Sequence, residues 1–252
     1  MSESTSTAVT SHVPGEETTL VLLPTYNELE NLPRMVAAIH EVQPRIHILV
    51  IDDNSPDGTG ALADQLAEAD TQARIHVLHR QGKEGLGKAY IAGFKWGLEH
   101  GYDYLQQMDC DFSHRPEDLP KLLEAIRDAD LVIGSRYVEG GGVKNWPWYR
   151  FLISRGGGMY ARTVLGRSVG DFTGGFNGYR RKVLETLELD RVESNGYSFQ
   201  IEMKWRTLNA GFRVKEVPIL FVEREVGVSK MNSSIVREAL LMCWKLRLGM
   251  VK

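Results

Sequence analysis

Asp109-Cys110-Asp111, within the run Met108-Asp109-Cys110-Asp111-Phe112-Ser113-His114, sets two carboxylates one residue apart. The stretch 102–108 before them reads as a strand entering a loop. In extended backbone, residues i and i+2 project to the same side, so Asp109 and Asp111 are predicted to share a site while Cys110 faces away. Two hard oxygen ligands suit Mg²⁺ or Mn²⁺, which keeps waters and is completed by substrate phosphates. The chemistry indicated is a diphosphate held through a metal; the alternative is a solvated acidic turn, and the surroundings decide between them.

Two other polar clusters end apolar runs in the same manner. Pro24-Thr25-Tyr26-Asn27-Glu28 offers a rigid backbone, an aromatic ring and a carboxylate, a set suited to gripping a nucleoside. Asp52-Asp53-Asn54-Ser55-Pro56-Asp57-Gly58 closes a second run. Asp53 is a ligand candidate there, whereas Asp57 is as readily a cap for the turn and the next helix.

The elements that position these clusters alternate. Strands are predicted at 20–23, 46–51, 74–78, 102–108 and 131–134. Helices are predicted at 59–69, 86–99 and 116–128, and one after Asn31, read as its cap, with Pro33 in its first turn. Such alternation indicates an α/β fold, Rossmann-like, with a mostly parallel central sheet and helices on both faces. Ligands of such sheets bind beyond the strands' carboxyl ends, where all three polar clusters fall. The second half is less regular. A mobile loop is expected at 138–143, a helix at about 151–165, an irregular strand at 171–179 and a helix at 199–208. The strand expected at 212–222 is interrupted at Pro218, which suggests a sheet edge. An amphipathic helix closes the chain at about 233–248.

Composition narrows the class. The 252 residues carry a formal charge of −3, which gives no general attraction to nucleic acid. Two cysteines, Cys110 and Cys243, make no disulfide framework and favour a reducing compartment. Residues 1–19, rich in Ser, Thr and Glu, read as a disordered tail, and 20–252 as one domain. No apolar run is long enough to span a membrane. The seven histidines show no metal-ligand spacing, and His114 reads as a loop residue.

Taken together, the three clusters resemble family 2 inverting glycosyltransferases with the GT-A fold. Gly134-Ser135-Arg136-Tyr137, Ile153-Ser154-Arg155-Gly156, Asp171-Phe172-Thr173-Gly174-Gly175-Phe176 and Gly227-Val228-Ser229-Lys230 narrow the resemblance to the dolichol-phosphate and polyprenyl-phosphate mannose synthases, over about 20–248. The resemblance implies that Pro24, Tyr26, Glu28, Ile51 and Asp53 line a guanosine pocket bordered by the Cys110 backbone. It implies Mg²⁺ or Mn²⁺ on Asp109 and Asp111. Ser113 stands where some members have Gln, and a hydroxyl is a poorer ligand. Arg224 and Lys230, which by residue type alone read as solvated charges, match basic residues near the diphosphate. Arg136, Arg150 and Ser154 match an acceptor-phosphate region.

The implied reaction moves mannose from GDP-mannose to a polyprenyl monophosphate with inversion, giving the β-linked lipid and GDP, with Asp111 and Arg136 the residues most directly engaged. A phosphate monoester is largely a dianion at neutral pH, its second pKa being about 6, so it attacks without a general base. Water in glycoside hydrolysis, by contrast, must be activated. Arg136 would offer the acceptor phosphate a forked contact that Lys could not copy. Two alternatives stay open: a UDP-glucose-dependent polyprenyl-phosphate glucosyltransferase, and a non-catalytic nucleotide-binding subunit of a membrane complex. The lipid acceptor implies a cytoplasmic enzyme, peripheral on the cytoplasmic face of a membrane, with a membrane-anchoring partner protein. Its interfacial face would comprise the last helix, Trp146, Trp148 and Phe151, or the helix would simply pack into the core.

Overall fold

The computed structural model describes residues 18–192, 194–223 and 233–250, without side-chain detail for 233–236. Its first half runs β1 (Thr19–Thr25), α1 (Leu32–Val42), β2 (His47–Asp52), α2 (Thr59–Ala69), β3 (Ile75–His79), α3 (Leu86–Glu99) and β4 (Tyr104–Gln107). A 3₁₀ turn (Pro116–Asp118), α4 (Leu119–Ala125), β5 (Leu131–Ser135), β6 (Gly142–Lys144), α5 (Trp148–Leu165) and β7 (Asn177–Arg180) follow. The chain then forms α6 (Arg181–Thr186), a second 3₁₀ turn (Leu189–Arg191), α7 (Gly196–Asn209), β8 (Val214–Pro218), β9 (Leu220–Val222) and α8 (Ser233–Arg247).

Seven strands form one sheet in the order β3-β2-β1-β4-β7-β5-β8. All neighbours in it are parallel except β7, which runs against both β4 and β5. The period of two sorts each strand between two cores. Leu20 and Leu22 of β1, with Leu49 and Ile51 of β2, pack with Tyr90 and Phe94 of α3. Val21, Leu23, Ile48 and Val50 face the other way, with Met35 and Ile39 of α1. Two glycines let α3 lie close on the sheet: a Cβ at Gly93 would come within 2.5 Å of Ile51, and one at Gly97 within 2.4 Å of Leu105.

Several expectations change in detail. Asn31 precedes α1 without capping it; its side chain donates to Glu28 instead, at 2.8 Å. The strand before the acidic couplet stops at Gln107, and Cys110 and Asp111 lie in a turn. The loop expected at 138–143 ends in β6, whose partner is β9, parallel and some eighty residues on; that pair forms a separate two-stranded sheet. The irregular strand of 171–179 contracts to β7, and the long strand of 212–222 divides at Pro218 into β8, at the main sheet's edge, and β9. Proline has no N–H to give a further neighbour, which is why the edge tolerates it.

Candidate active site

The carboxyl ends of β1, β2 and β4 meet at one cavity of about 400 Å³, closed on its far side by the segment before β7, the start of α7 and Phe221 of β9. The parallel register aligns the three exits: Asp53 N–H donates to Thr25 O at 3.1 Å, and Met108 N–H to Leu22 O at 3.1 Å. Pro24, Tyr26, Glu28, Asp53, Asp109, Cys110, Asp111, Ser113, Arg136 and Arg150 all line this space.

Asp109 and Asp111 both open onto the cavity, the first half-buried and the second buried. They reach it from a turn rather than from extended backbone, with Phe112 at φ 59° bending the chain between Asp111 and Ser113. Cys110, expected to face away, lines the cavity too, and burial pushes its thiol far above the ordinary range. The Tyr90 hydroxyl donates to Asp109 Oδ1 at 2.8 Å, and the Ser113 N–H to Asp111 Oδ1 at 3.0 Å. Tyr90 is itself fixed by a parallel stack on Phe199, with centroids 6.2 Å apart. Two carboxylates, with no third His, Cys, Asp or Glu close enough to complete a cage among the described residues, fit a hard divalent cation that shares its remaining positions with waters and phosphate.

The acids after β2 are differently disposed. Asp52 accepts from Ser55 N–H at 3.0 Å, Ser55 Oγ at 2.6 Å and Thr25 Oγ1 at 3.2 Å, so it is spent on its own turn. Asp57 accepts from Thr59 N–H and Oγ1 and from Leu29 N–H. Burial opposes ionisation of Asp57, but these donors outweigh it and lower its pKa. Asp53 pairs with Arg80; burial nevertheless raises its pKa, against the pull of that guanidinium. Glu28 accepts from Asn31 Nδ2, and its N–H donates to Thr59 Oγ1 at 3.0 Å.

Four expectations need correction. Ile51 is fully buried under α3 and does not line the cavity, because it shares the sheet face of Leu49. Ser154 is also absent from the lining; its Oγ accepts from the Tyr137 hydroxyl at 2.7 Å. Arg136 reaches the cavity, but its fork is already engaged: Nε and Nη2 each donate to Asp171 at 2.7 Å, and Nη2 to Thr173 Oγ1 at 2.8 Å. Burial would neutralise both partners, yet their mutual attraction keeps Arg136 protonated and holds Asp171 at about 2. Beneath them, Lys204 is fully buried and donates to Gly174 O at 2.6 Å and Phe172 O at 3.2 Å; burial lowers it to about 7. Arg150 pairs with Glu223 and lies 4.4 Å over the Trp146 ring. That places Trp146, expected on a membrane-facing surface, inside the cavity wall. Arg224 and Lys230 lie outside the described residues.

The structure adds residues that the sequence did not mark. Lys83 stands 3.7 Å over the Tyr26 ring from the glycine-spaced loop 82–87, and that spacing was the available signal. His114, read as a loop residue, is buried against Phe176 with ring centroids 5.0 Å apart. Its Nδ1 accepts the Asp109 N–H at 3.0 Å, which puts the proton of the neutral ring on Nε2. Burial lowers its pKa despite Asp109 and Asp111 nearby, so neutral is the resting form. Gln200 enters the cavity from α7, the helix expected at 199–208; Glu202, two residues on, is buried in a pair with Arg206.

Comparisons with known proteins agree with this architecture. Residues 20–188 match the profile of Glycosyl transferase family 2. Over 223 residues the chain is 57% identical to polyprenol monophosphomannose synthase of Mycolicibacterium smegmatis, covering 88% of this chain and 84% of that protein. Over 222 residues it is 54% identical to undecaprenyl-phosphate mannosyltransferase of Micrococcus luteus, covering 88% and 90%. Among solved structures, glucosyl-3-phosphoglycerate synthase of Mycobacterium tuberculosis, in complex with Mn²⁺, UDP and phosphoglyceric acid, superposes with a TM-score of 0.68 at 17% identity, covering 92% of this chain and 78% of that one. That likeness is one of fold.

Proposed function

Because the chain belongs to glycosyl transferase family 2, we propose that it transfers mannose from GDP-mannose to a polyprenyl monophosphate with inversion, releasing GDP. The observation that carries this reading is the opening of the Asp109/Asp111 couplet and of the Arg136 and Arg150 guanidiniums onto one cavity. The names of the two bacterial relatives supply the sugar and the lipid class.

The donor's base belongs beside Pro24, Tyr26, Glu28 and Asp53. A guanine edge has two adjacent N–H donors, which one carboxylate can meet with both oxygens; uracil presents a single one. This favours GDP over UDP. The diphosphate belongs at Asp109 and Asp111, where Mg²⁺ or Mn²⁺ would offset its charge. Ser113 contributes its backbone: the N–H orients Asp111, and the carbonyl accepts from Val222 N–H at 3.3 Å, tying β9 over the loop. Arg224 and Lys230 are assigned to the leaving diphosphate by the family resemblance alone.

The acceptor oxygen forms a bond to the anomeric carbon as the bond to the diphosphate oxygen breaks, and the electron pair leaves with GDP. No proton need be removed from a phosphate dianion, so the site's work is alignment and charge compensation. The acidic side chains at this edge that bind protein groups, Asp52, Asp57 and Asp171, take no part in proton transfer. Arg136, with its fork on Asp171, acts as a fixed positive edge rather than a clamp, and Arg150 is the second cation for the lipid phosphate.

No helix among the described residues is long and apolar enough to cross a membrane. What supports a membrane-surface location is the exterior of α5 and α8. Trp148, Leu152 and Ile153 are exposed on α5, and Leu241, Trp244 and Leu248 on or just after α8, with Lys245 and Arg247 among them. The opposite face of α8 buries Cys243 and Leu246 in the core, so the helix serves both purposes. A bilayer's cytoplasmic face suits such a surface, because the donor is a soluble nucleotide. The same surface could receive a membrane-anchoring partner.

The test is incubation of the protein with radiolabelled GDP-mannose, Mg²⁺ and polyprenyl phosphate, beside UDP-glucose as competing donor. Label should pass to extractable lipid from GDP-mannose, and Asp109→Ala and Asp111→Ala should abolish it. Transfer retained in both variants, or transfer from UDP-glucose alone, would overturn the reading.

A further inference from the structure

The far wall of the cavity holds none of the residues assigned to the base or the diphosphate. There Gln200, 3% exposed, carries an Nε2 that is buried without a hydrogen-bond partner among the described residues. Its orientation follows from its neighbours. Asn177 Nδ2 donates to the Gly174 carbonyl at 3.0 Å, and a carbonyl can only accept, so the amide nitrogen is correctly placed there. That same nitrogen lies 2.9 Å from Gln200 Oε1 and 3.0 Å from Gln107 Oε1, and with Oε1 turned toward Asn177 the Gln200 Nε2 lies on the opposite side.

On that side stands Gly175, also in the cavity wall. A Cβ built on Gly175 would lie 3.7 Å from Gln200 Nε2, 3.7 Å from His114 Nε2 and 3.3 Å from His114 Cε1. The absent side chain therefore leaves a small notch flanked by two uncharged N–H donors. His114 is in turn bonded to the backbone of Asp109, which puts the notch one side chain away from the carboxylates assigned to the diphosphate. The group attached to the diphosphate is the sugar, and it is neutral. Neutral donors suit its hydroxyls, whereas the cations Arg136 and Arg150 suit the anionic acceptor. Buried donors of this kind discriminate strongly, since a ligand lacking the matching oxygen leaves them unpaired.

We propose that Gln200 and His114, across Gly175, form the subsite that hydrogen-bonds a hydroxyl of the transferred sugar and so fixes donor-sugar specificity. The inference rests on the glycosyl-transfer reading, and its test is a binding measurement that does not need transfer. Calorimetry compares GDP, GDP-mannose and its singly deoxygenated analogues, with UDP and UDP-glucose as a second series. In the wild type the sugar should add affinity beyond the nucleotide alone, and one deoxy analogue should lose about tenfold. Gln200→Leu should remove both that gain and that discrimination while GDP binds within about twofold of wild type, which also reports the fold intact. Gly175→Ala, which fills the notch at an ordinary backbone conformation, should weaken the nucleotide sugar but not the nucleotide. Unchanged discrimination in Gln200→Leu would overturn the subsite, as would parallel losses for GDP and GDP-mannose in both variants. If wild type binds and discriminates the sugar but makes no mannosyl lipid, the transfer reading fails and the subsite stands.

Discussion

The loops that follow β2 and β4 leave the same sheet edge, both acidic, yet they do different work. After β2, Asp52 and Asp57 each accept three hydrogen bonds from their own turn or its neighbours, and Asp53 is held by Arg80. After β4, Asp109 accepts from the Tyr90 hydroxyl and Asp111 from the Ser113 N–H, and both face the cavity. The first loop builds the rim; the second presents ligands from it. An acidic residue at a strand's carboxyl end is thus informative only once the local N–H groups have been matched to it.

That contrast can be broken at several points. The largest stability effect is expected where a carboxylate is most fully committed. Arg136→Ala strands Asp171 in the core, and breaking a buried pair costs about 3–5 kcal/mol, read by denaturant unfolding. Acid titration of the wild type sharpens the same point. Asp171 sits at about 2 when folded against an ordinary 3.8, so its contribution is complete above about 4 and disappears as pH falls through 2. The variant lacks this contribution, so its deficit against the wild type should narrow as pH falls from about 4 to about 2.

At the second loop the expected effect is on catalysis. Asp109→Ala and Asp111→Ala should each lower transfer by at least about a hundredfold with the melting temperature little changed. Asp52→Ala should do the reverse, leaving Ser55 and Thr25 donors unmet in a buried turn, at a cost of about 1–3 kcal/mol. Asp57→Ala, at the more exposed entry to α2, should cost about 1 kcal/mol, which for a chain of this size lowers the melting temperature by about 2–4 °C. Loss of transfer in Asp57→Ala at full stability would erase the distinction between the loops.

Much of this was legible in the sequence because it is local. Apolar runs ending at Pro24, Asp52 and Met108 placed three clusters on one edge, and the helices at 59–69 and 86–99 match α2 and α3. What escaped depends on distant pairing. The 138–143 glycines appear mobile until Leu220–Val222 pairs beside them, and nothing near Arg136 reveals that Asp171, thirty-five residues on, takes its fork. Ile51, placed in the pocket by the resemblance, follows instead the alternation that puts it beside Leu49 under α3. Gln200 was invisible for a plainer reason: an amide in a helix carries no motif, and only the orphaned nitrogen distinguishes it.

The central claim is that the couplet after β4, and not the acids after β2, couples a divalent cation to the nucleotide. Calorimetric titration of GDP with and without Mg²⁺ tests it directly, on the wild type, Asp109→Ala, Asp111→Ala and Asp57→Ala. Mg²⁺ should tighten GDP by about tenfold or more in the wild type and in Asp57→Ala, and should have no effect in either couplet variant. Persistence of the full Mg²⁺ effect in both couplet variants would contradict the account.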